Sequence, residues 1–233
     1  MKALFCQQFG PIENLVVTEV PAPSLAPGKV LIDVKAASLN FPDALMVQGL
    51  YQVKPPTPFV PGAEYAGVVA AVGDGVSHVT VGDRVMAFTG WGGFAEQAVA
   101  DAMRVSPMPP SMSFEQGASF VLTYATSHHA LKDVAKLQAG ETLLILGASG
   151  GVGTSAIQLA KITGATVIAA ASSDDKLALC KSLGADHLVN YSHDNWRDQV
   201  NAIVGKKGVD VVYDAVGGPY AEPAVRALGW RGR

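Results

Sequence analysis

The segment TLLILGASGGVG, residues 142–153, decides the fold of this chain. Its aliphatic first half has the composition of a buried strand, and it ends at a cluster of glycines. An amphipathic run, residues 152–163, follows, and a second apolar run occupies residues 166–171. This order predicts strand, tight turn, helix and strand, which is one βαβ unit. Glycines at such a turn let backbone N–H groups approach a pyrophosphate, and the helix N-terminus adds partial positive charge.

The C-terminal half of the chain continues this alternation of strands and helices. The predicted strands are residues 142–147, 166–172, 187–191 and 209–216. The predicted helices are residues 115–136, with a break near Thr123, then 152–163, 175–183 and 194–204. Ser113 and Gln116 have the spacing of a capping box at the start of the first helix. Right-handed crossovers would make these strands a doubly wound, parallel Rossmann sheet.

The predicted sheet has fewer strands than the six that are usual for a nucleotide-binding domain of this type. The chain stops at residues 229–233, in a turn that would normally lead into a fifth strand. Strand 209–216 would then keep a bare apolar edge, which is a liability. We therefore expect a C-terminally truncated Rossmann domain; the alternative is that something else covers this edge.

The N-terminal part of the chain is strand-rich and interrupted by turns. Predicted strands are residues 30–36 and 65–72, residues 81–87 are a turn leading into a third strand, and residues 92–99 begin a fourth; most prolines fall in this half. Short strands separated by such turns suggest a β-barrel-like unit. The character of the sequence changes near residues 109–110. We therefore expect an α/β protein of two domains, residues 1–122 and residues 123–233.

Composition narrows the classes of function. The chain is 49% hydrophobic and 16% charged, and its formal net charge of −3 gives no support to nucleic-acid or anionic-membrane binding. Its start lacks the apolar core of a signal peptide, and polar residues interrupt the most apolar region, residues 142–171, so no membrane span is expected. Cys6 and Cys180 form no motif, which favours a reduced, cytoplasmic protein.

Four segments carry a resemblance to a known family: AEYAGVV at 63–69, VGDRV at 81–85, GASGGVG at 147–153 and LGAD at 183–186. In kind and order they resemble segments of the zinc-independent medium-chain dehydrogenase/reductases, and most closely the NADPH:quinone oxidoreductase (zeta-crystallin-like) group. The resemblance implies a GroES-like substrate domain, residues 1–122, followed by an NADP-binding domain, residues 123–233. It also implies that the full-length form is a homodimer.

The sequence departs from the zinc-binding branch of that family. Where the branch has Gly-His-Glu, residues 62–64 read Gly-Ala-Glu, and Asn40 stands in place of a ligand cysteine. Two cysteines cannot form a Cys₄ site. His128 and His129 are neighbours in a predicted helix, so their side chains diverge by about 100°. We therefore expect no metal site.

The predicted cofactor is NADPH. Residues expected at the pyrophosphate are Gly147, Ser149, Gly150, Gly151, Val152 and Gly153. NAD specificity usually needs a carboxylate at the end of the second strand, whereas this strand ends in alanines and serines. Ser172, Ser173 and Lys176 are placed to donate to a 2′-phosphate, with a solvated Lys176 as the alternative. Tyr191 resembles the family tyrosine that reaches the same phosphate.

Three further residues are expected at the nicotinamide end of the cofactor. Thr123 resembles the family residue beneath the nicotinamide, and a core threonine at a helix kink is the alternative. Val216 ends the predicted strand 209–216, and Gly217 begins the loop after it, at the carboxyl end where ligands lie in such sheets, so we expect both near the nicotinamide ribose.

The resemblance assigns Asn40, Asp43 and Tyr51 to catalysis, and Phe41 and Trp91 to substrate binding. Asn40 is expected to hydrogen-bond near the nicotinamide or a substrate oxygen, and Tyr51 to donate to the oxygen that gains charge. Trp91 lies between glycines and is expected to stack on a flat ring. The alternatives are cap and turn roles for Asn40 and Asp43, a rim aromatic for Tyr51, and ordinary packing for Trp91.

These observations predict an NADPH-dependent, zinc-independent oxidoreductase that transfers hydride to a quinone. Reduction of a C=C bond conjugated to a carbonyl, as in an enoyl or enone reductase, is the nearest alternative. A non-catalytic NADPH-binding structural protein is the alternative from another class.

Overall fold

The structure, a computed structural model, describes residues 1–233. Its contacts divide the chain into two compact units, Met1–Leu122 and Thr123–Arg233. None of its helices is both long and apolar enough to cross a membrane.

The first unit is built mainly from antiparallel strands. They are β1 (Lys2–Phe5), β2 (Val16–Glu19), β3 (Lys29–Ser38), β4 (Glu64–Val72), β5 (Arg84–Phe88), β6 (Gln97–Asp101) and β7 (Val105–Pro107). Strands β1 and β2 pair with each other, and the others form a sheet in the order β6-β3-β4-β5-β7. Alternate residues of β3, such as Val30 and Ile32, point into a core that also holds Tyr65 and Val85. An antiparallel sheet around one core agrees with the β-barrel-like unit expected for this half.

Two short helices belong to this unit, α1 (Phe41–Val47) and α2 (Phe114–Ala118). The predicted capping box at α2 is confirmed. Ser113 Oγ accepts from the backbone N–H of Gln116 at 3.2 Å, and the Gln116 side chain accepts from the Ser113 N–H at 2.9 Å. A turn at residues 119–120 then interrupts the helical stretch, a few residues before the break that the sequence predicts near Thr123.

The second unit alternates helices and strands. Its elements are α3 (Val121–His128), which starts just before the boundary and runs into a π-helical segment (His129–Val134), then β8 (Thr142–Leu146), α4 (Gly151–Thr163), β9 (Thr166–Ala171), α5 (Asp174–Ser182), β10 (His187–Asn190), α6 (Trp196–Val204), β11 (Val211–Asp214) and α7 (Ala221–Val225). Short 3₁₀ turns lie at Ile12–Asn14, Ala102–Arg104, Gly205–Lys207 and Gly218–Tyr220.

Strands β8 to β11 form one parallel sheet in the order β10-β9-β8-β11, which confirms the Rossmann-like fold class. Leu143 and Ile145 pack into the core on one face of this sheet, and Leu144 and Leu146 pack into the core on the other. Burial on both faces explains why β8 is apolar throughout and does not alternate with polar residues.

The outer edge of β11 is not bare, which corrects the expectation for this strand. The backbone N–H of Val212 donates to the Arg233 carbonyl at 2.8 Å, and the Arg233 N–H donates to the Asp210 carbonyl at 3.0 Å. The Val209 N–H donates to the Ala227 carbonyl at 2.9 Å. Residues 227–233 therefore return along this edge and satisfy part of its backbone.

Candidate functional site

The glycine-rich turn joins the carboxyl end of β8 to the N-terminus of α4. Gly147 has φ of 67°, and its carbonyl accepts from the Gly150 N–H at 2.9 Å, which closes the turn. A Cβ at Gly153 would collide with the Gly147 carbonyl and lie 2.6 Å from the Ala148 Cα. Only glycine at this position lets α4 pack directly against the turn.

The N-terminus of α4 has the features of an anion site. Its N-cap is Gly150, no side chain caps it, and its first turn holds no acidic residue. The first N–H groups of a helix, here those of Gly151, Val152 and Gly153, have no carbonyl partner in a preceding turn. Together with the helix dipole they favour a phosphate group. The half-buried Ser149 precedes them in the turn. The residues present therefore fit the pyrophosphate of a dinucleotide.

Three predicted residues converge where β9 ends. Lys176 Nζ donates to Ser172 Oγ at 2.9 Å. The Tyr191 hydroxyl also hydrogen-bonds Ser172, and the Tyr191 ring packs 4.7 Å from that of Tyr220. Burial raises the pKa of Tyr191, and the bond to Ser172 acts in the opposite direction. One ammonium group and two hydroxyls therefore meet beside the glycine-rich turn.

The nearest carboxylates in sequence do not occupy the end of β9. Asp174 and Asp175 lie in the first turn of α5, and Asp174 accepts from the Asn190 side chain at 3.4 Å. Ser173 is the N-cap of α5, but its side chain makes no capping bond. The cluster therefore offers donors and a positive charge, which suit a phosphate monoester better than a ribose hydroxyl.

Residues from two other segments lie against the glycine-rich turn. Asp214 Oδ1 accepts from the backbone N–H groups of Val216 at 2.9 Å and Gly217 at 2.8 Å, which closes the turn after β11. A Cβ at Gly147 would lie 2.9 Å from Val216 Cγ2. A Cβ at Gly151 would lie 2.9 Å from Thr123 Cγ2. The predicted cofactor residues thus come together at the carboxyl edge of the sheet.

A buried polar network that the sequence did not predict holds α3 against α4. Ser155 Oγ donates to the Thr123 carbonyl at 3.0 Å and lies 2.9 Å from Ser127 Oγ. Ser127 Oγ is also 3.3 Å from the Tyr213 hydroxyl on β11. Both serines are buried, so this network fixes the backbone that carries Thr123.

Asp43 and Asn40 form the start of α1. The Asp43 carboxylate, 2% exposed, accepts from the Asn40 N–H at 2.8 Å and the Ala63 N–H at 3.0 Å. Burial raises the pKa of Asp43, and its backbone hydrogen bonds oppose this. Because backbone donors occupy both oxygens, the geometry favours the alternative in which Asp43 is a cap residue. Phe41 begins the helix and is 78% exposed.

Glu64 is a buried acid that sequence reasoning did not assign to the site. Its Oε1 accepts from the Leu122 N–H at 3.0 Å, and its Oε2 accepts from Ser38 Oγ at 3.1 Å. Ser38 Oγ in turn accepts from Asn40 Nδ2 at 2.8 Å. Burial raises the pKa of Glu64 despite these hydrogen bonds. The carboxylate therefore orients Asn40 through Ser38 and caps the start of α3, the helix that carries Thr123. Its one visible sequence signal is an acid inside the apolar run 63–69.

Tyr51 and Trp91 line one pocket of about 550 Å³ in the first unit, called here the Trp91 pocket. Its apolar wall consists of Met46, Tyr51, Val53, Phe88, Trp91 and Val99, and its charged wall of Lys29, Asp101 and Arg104. Thr89 Oγ1 donates to the Trp91 carbonyl at 2.8 Å, which holds the loop. Asn40, Phe41 and Asp43 are not among the residues that line this pocket.

Histidine, cysteine and acidic side chains form no group of three or more that could hold a metal ion. His129 Nδ1 is 2.9 Å from Asp133 Oδ2, and His128 lies in the last turn of α3.

Both halves of the chain match known families. Residues 26–110 match the alcohol dehydrogenase GroES-like domain, and residues 151–233 match the family described as zinc-binding dehydrogenase. Quinone oxidoreductase-like protein 2 of Rattus norvegicus is 39% identical over 222 residues, which cover 95% of this chain and 63% of that protein. The chain thus spans less than two thirds of that relative. Quinone oxidoreductase of Rattus norvegicus is 35% identical over 235 residues, covering 100% of this chain and 71% of that protein.

Solved structures of oxidoreductases are also similar to the whole of this chain and are longer than it. Escherichia coli quinone oxidoreductase complexed with NADPH superposes with a TM-score of 0.92 at 32% identity, covering 100% of this chain and 71% of that one. CurK enoyl reductase superposes with a TM-score of 0.91 at 32% identity, covering 100% of this chain and 72% of that one.

Proposed function

Because the chain belongs to the medium-chain dehydrogenase/reductase superfamily and, within it, to the quinone oxidoreductase group, we propose that the protein is an NADPH-dependent, zinc-independent reductase that transfers hydride to a quinone. The observation that carries this proposal is the meeting of Lys176, Ser172 and Tyr191 beside the glycine-rich turn. A relative whose solved structure contains NADPH supports the choice of cofactor.

When bound, the nicotinamide cofactor supplies the hydride. The turn 147–153 and the N-terminus of α4 hold its pyrophosphate. Ser172, Ser173, Lys176 and Tyr191 hold the 2′-phosphate. The nicotinamide end is positioned by Thr123, Val216 and Gly217.

In the first unit, the Tyr51 hydroxyl donates a hydrogen bond to the substrate oxygen that gains charge. The amide of Asn40, oriented by Ser38 and Glu64, offers a second polar contact. Trp91 supplies aromatic surface to a flat ring, whereas the exposed Phe41 lies outside the Trp91 pocket and is not given that role; Asp43 holds α1 in place. The chemistry is proposed without zinc because Ala63 and Asn40 replace ligands of the zinc-binding branch.

Reduction of a conjugated C=C bond is the second candidate. The similarity to CurK enoyl reductase favours it, as does a Tyr51 hydroxyl that lines a pocket and is able to donate a proton. Tyr51→Phe tests this role: turnover should fall with either class of substrate, and more with an enone, whose carbon must gain a proton. Unchanged turnover would exclude proton donation by Tyr51.

The test of function is an absorbance assay of NADPH and NADH consumption by the purified protein, with a panel of quinones beside a panel of enals and enones. Turnover that is selective for NADPH and for quinones supports the proposal. Turnover on enals or enones alone supports the second candidate. Cofactor binding without turnover on either panel contradicts both and favours a binding role.

A cytoplasmic homodimer is proposed for the full-length form, and light scattering of that form tests the dimer.

A further inference from the structure

The Trp91 pocket has two chemically different walls. Tyr51, Phe88 and Trp91 contribute its aromatic rings, and Lys29, Asp101 and Arg104 contribute its charged groups. Its volume of about 550 Å³ is within the range of small-molecule sites. A ligand that fits both walls has a flat apolar body and a polar or charged end.

The charged wall holds two cations, Lys29 and Arg104, and one carboxylate, Asp101. Lys29 Nζ is 2.5 Å from Asp101 Oδ1, and this bond lowers the pKa of Asp101, so those two charges neutralise each other. Arg104 forms no salt bridge, although its charge also helps to lower the pKa of Asp101, and its Nη1 makes one long bond of 3.4 Å to the Thr89 carbonyl. The wall therefore carries an excess positive charge on a guanidinium, whose planar fork suits a carboxylate or a phosphate.

The loop that carries Trp91 in the aromatic wall is held in place, because the Gly92 N–H donates to the Val60 carbonyl at 2.8 Å and the Gly90 N–H to the Ala63 carbonyl at 3.2 Å. Gly90 and Gly92 on either side of Trp91 have φ of 91° and 103°. A Cβ at either glycine would meet no atom within 4 Å, so the positive φ, and not crowding, favours glycine at these positions. Trp91 is 39% exposed, which leaves ring surface for a ligand.

We propose that the Trp91 pocket binds a planar carbonyl substrate that carries an anionic substituent, and that Arg104 is the specificity-determining residue that pairs with this anion. The inference rests on the proposed function, because it names the substrate class of the proposed reductase. Tyr51 and Trp91 contact the ring, while Arg104 selects for the charged group. A carboxylate and a phosphate share this chemistry.

The kinetic test compares two substrates with the same reactive ring. These are 2-methyl-1,4-naphthoquinone with a 3-propanoate side chain and its methyl ester. Arg104→Gln should lower kcat/KM for the acid about fivefold and for the ester less than twofold, because an exposed ion pair contributes at most about 1 kcal/mol. Arg104→Lys should keep most of the preference for the acid. Lys35→Gln removes one exposed charge elsewhere on the first unit and should change neither substrate.

A binding test separates this inference from the proposed function. Calorimetry measures the affinity of 3-(2-naphthyl)propanoate, its neutral amide and 2-naphthyl phosphate, none of which is a quinone. Arg104→Gln should weaken the two anions by a similar factor and spare the amide, and the tighter anion identifies the preferred group. Equal losses for anion and amide, or no preference for an anion in the wild type, would overturn the proposal. Selective binding without turnover would refute the reductase function and leave the pocket assignment standing.

Discussion

Replacement of Lys176 by alanine tests how the chain distinguishes NADPH from NADH. The Lys176 ammonium already lies 2.9 Å from Ser172 Oγ, at the end of β9 where no carboxylate stands. NADH lacks the 2′-phosphate that this group is proposed to contact. The variant should therefore weaken binding of NADPH and leave binding of NADH almost unchanged.

The expected magnitude follows from the exposure of the lysine. A hydrogen bond to a charged group contributes about 1.5–3 kcal/mol. Lys176 is exposed, so water and salt screen the contact and place it at the lower end of that range. A loss of about 1.5 kcal/mol raises the Kd of NADPH about tenfold. The Kd of NADH should rise less than twofold.

Fluorescence titration of the purified protein with each reduced cofactor measures both constants without turnover. Lys181→Ala is the matched control, because it removes the same charge from the exposed far end of α5. The NADPH affinity of the wild type should also fall with added salt more steeply than that of the variant. Equal losses for NADPH and NADH, or a tenfold loss in the control, would refute the assignment of Lys176 to the 2′-phosphate.

Three further predictions concern residues that stabilise the two units that carry these sites. Gly153→Ala should lower the free energy of unfolding by about 1–3 kcal/mol and weaken dinucleotide binding, because its Cβ would press α4 away from the turn; thermal melts and cofactor titration measure both. Compared with Glu64→Gln, the wild type should lose stability as pH rises from about 4.5 to the raised pKa of Glu64, and the difference should then level off. The reason is that the Glu64 carboxyl stays protonated to a higher pH in the folded state than in the unfolded state; urea titrations across pH measure the difference. Relative to Asp186→Asn, the wild type should be more stable by about 1 kcal/mol above pH 3.8 and lose this advantage as pH falls further. Burial raises the pKa of Asp186, but hydrogen bonds from Lys161 and the Val167 N–H outweigh this and lower it.

The Gly153 and Glu64 variants each have a matched control. Gly10→Ala introduces a Cβ that meets only the movable Asn14 side chain and should leave the melting temperature unchanged. Glu96→Gln makes the same chemical change as Glu64→Gln at an exposed position and should not reproduce its pH dependence. For Asp186, a stability difference between the wild type and Asp186→Asn that does not change as pH falls below 3.8 would contradict the ion pair with Lys161.

Much of the second unit could be predicted because its signals are local. A strand buried on both faces is a short apolar run, and a tight turn to a helix needs glycines at fixed spacings. The contact between Lys176 and Ser172 is also local, because a side chain in the first turn of a helix lies close to one four positions earlier in the chain. The predicted strand 209–216 was longer than the observed Val211–Asp214, because Asp214 Oδ1 accepts from the next residues and turns the chain.

What the sequence could not predict depends on contacts between distant residues. Glu64 and Leu122 are 58 positions apart, and only the fold shows that the acid caps the backbone there. The same holds for the Trp91 pocket, whose walls come from four separate segments of the first unit. Local patterns place Asn40 and Tyr51 in the first unit but do not show which of them shares a cavity with Trp91. The structure groups Tyr51 with Trp91 and Arg104, and it groups Asn40 with Ser38 and Glu64. The substrate selection proposed for Arg104 and the orientation of the Asn40 amide involve different sets of residues, so Arg104 and Glu64 variants should affect them independently.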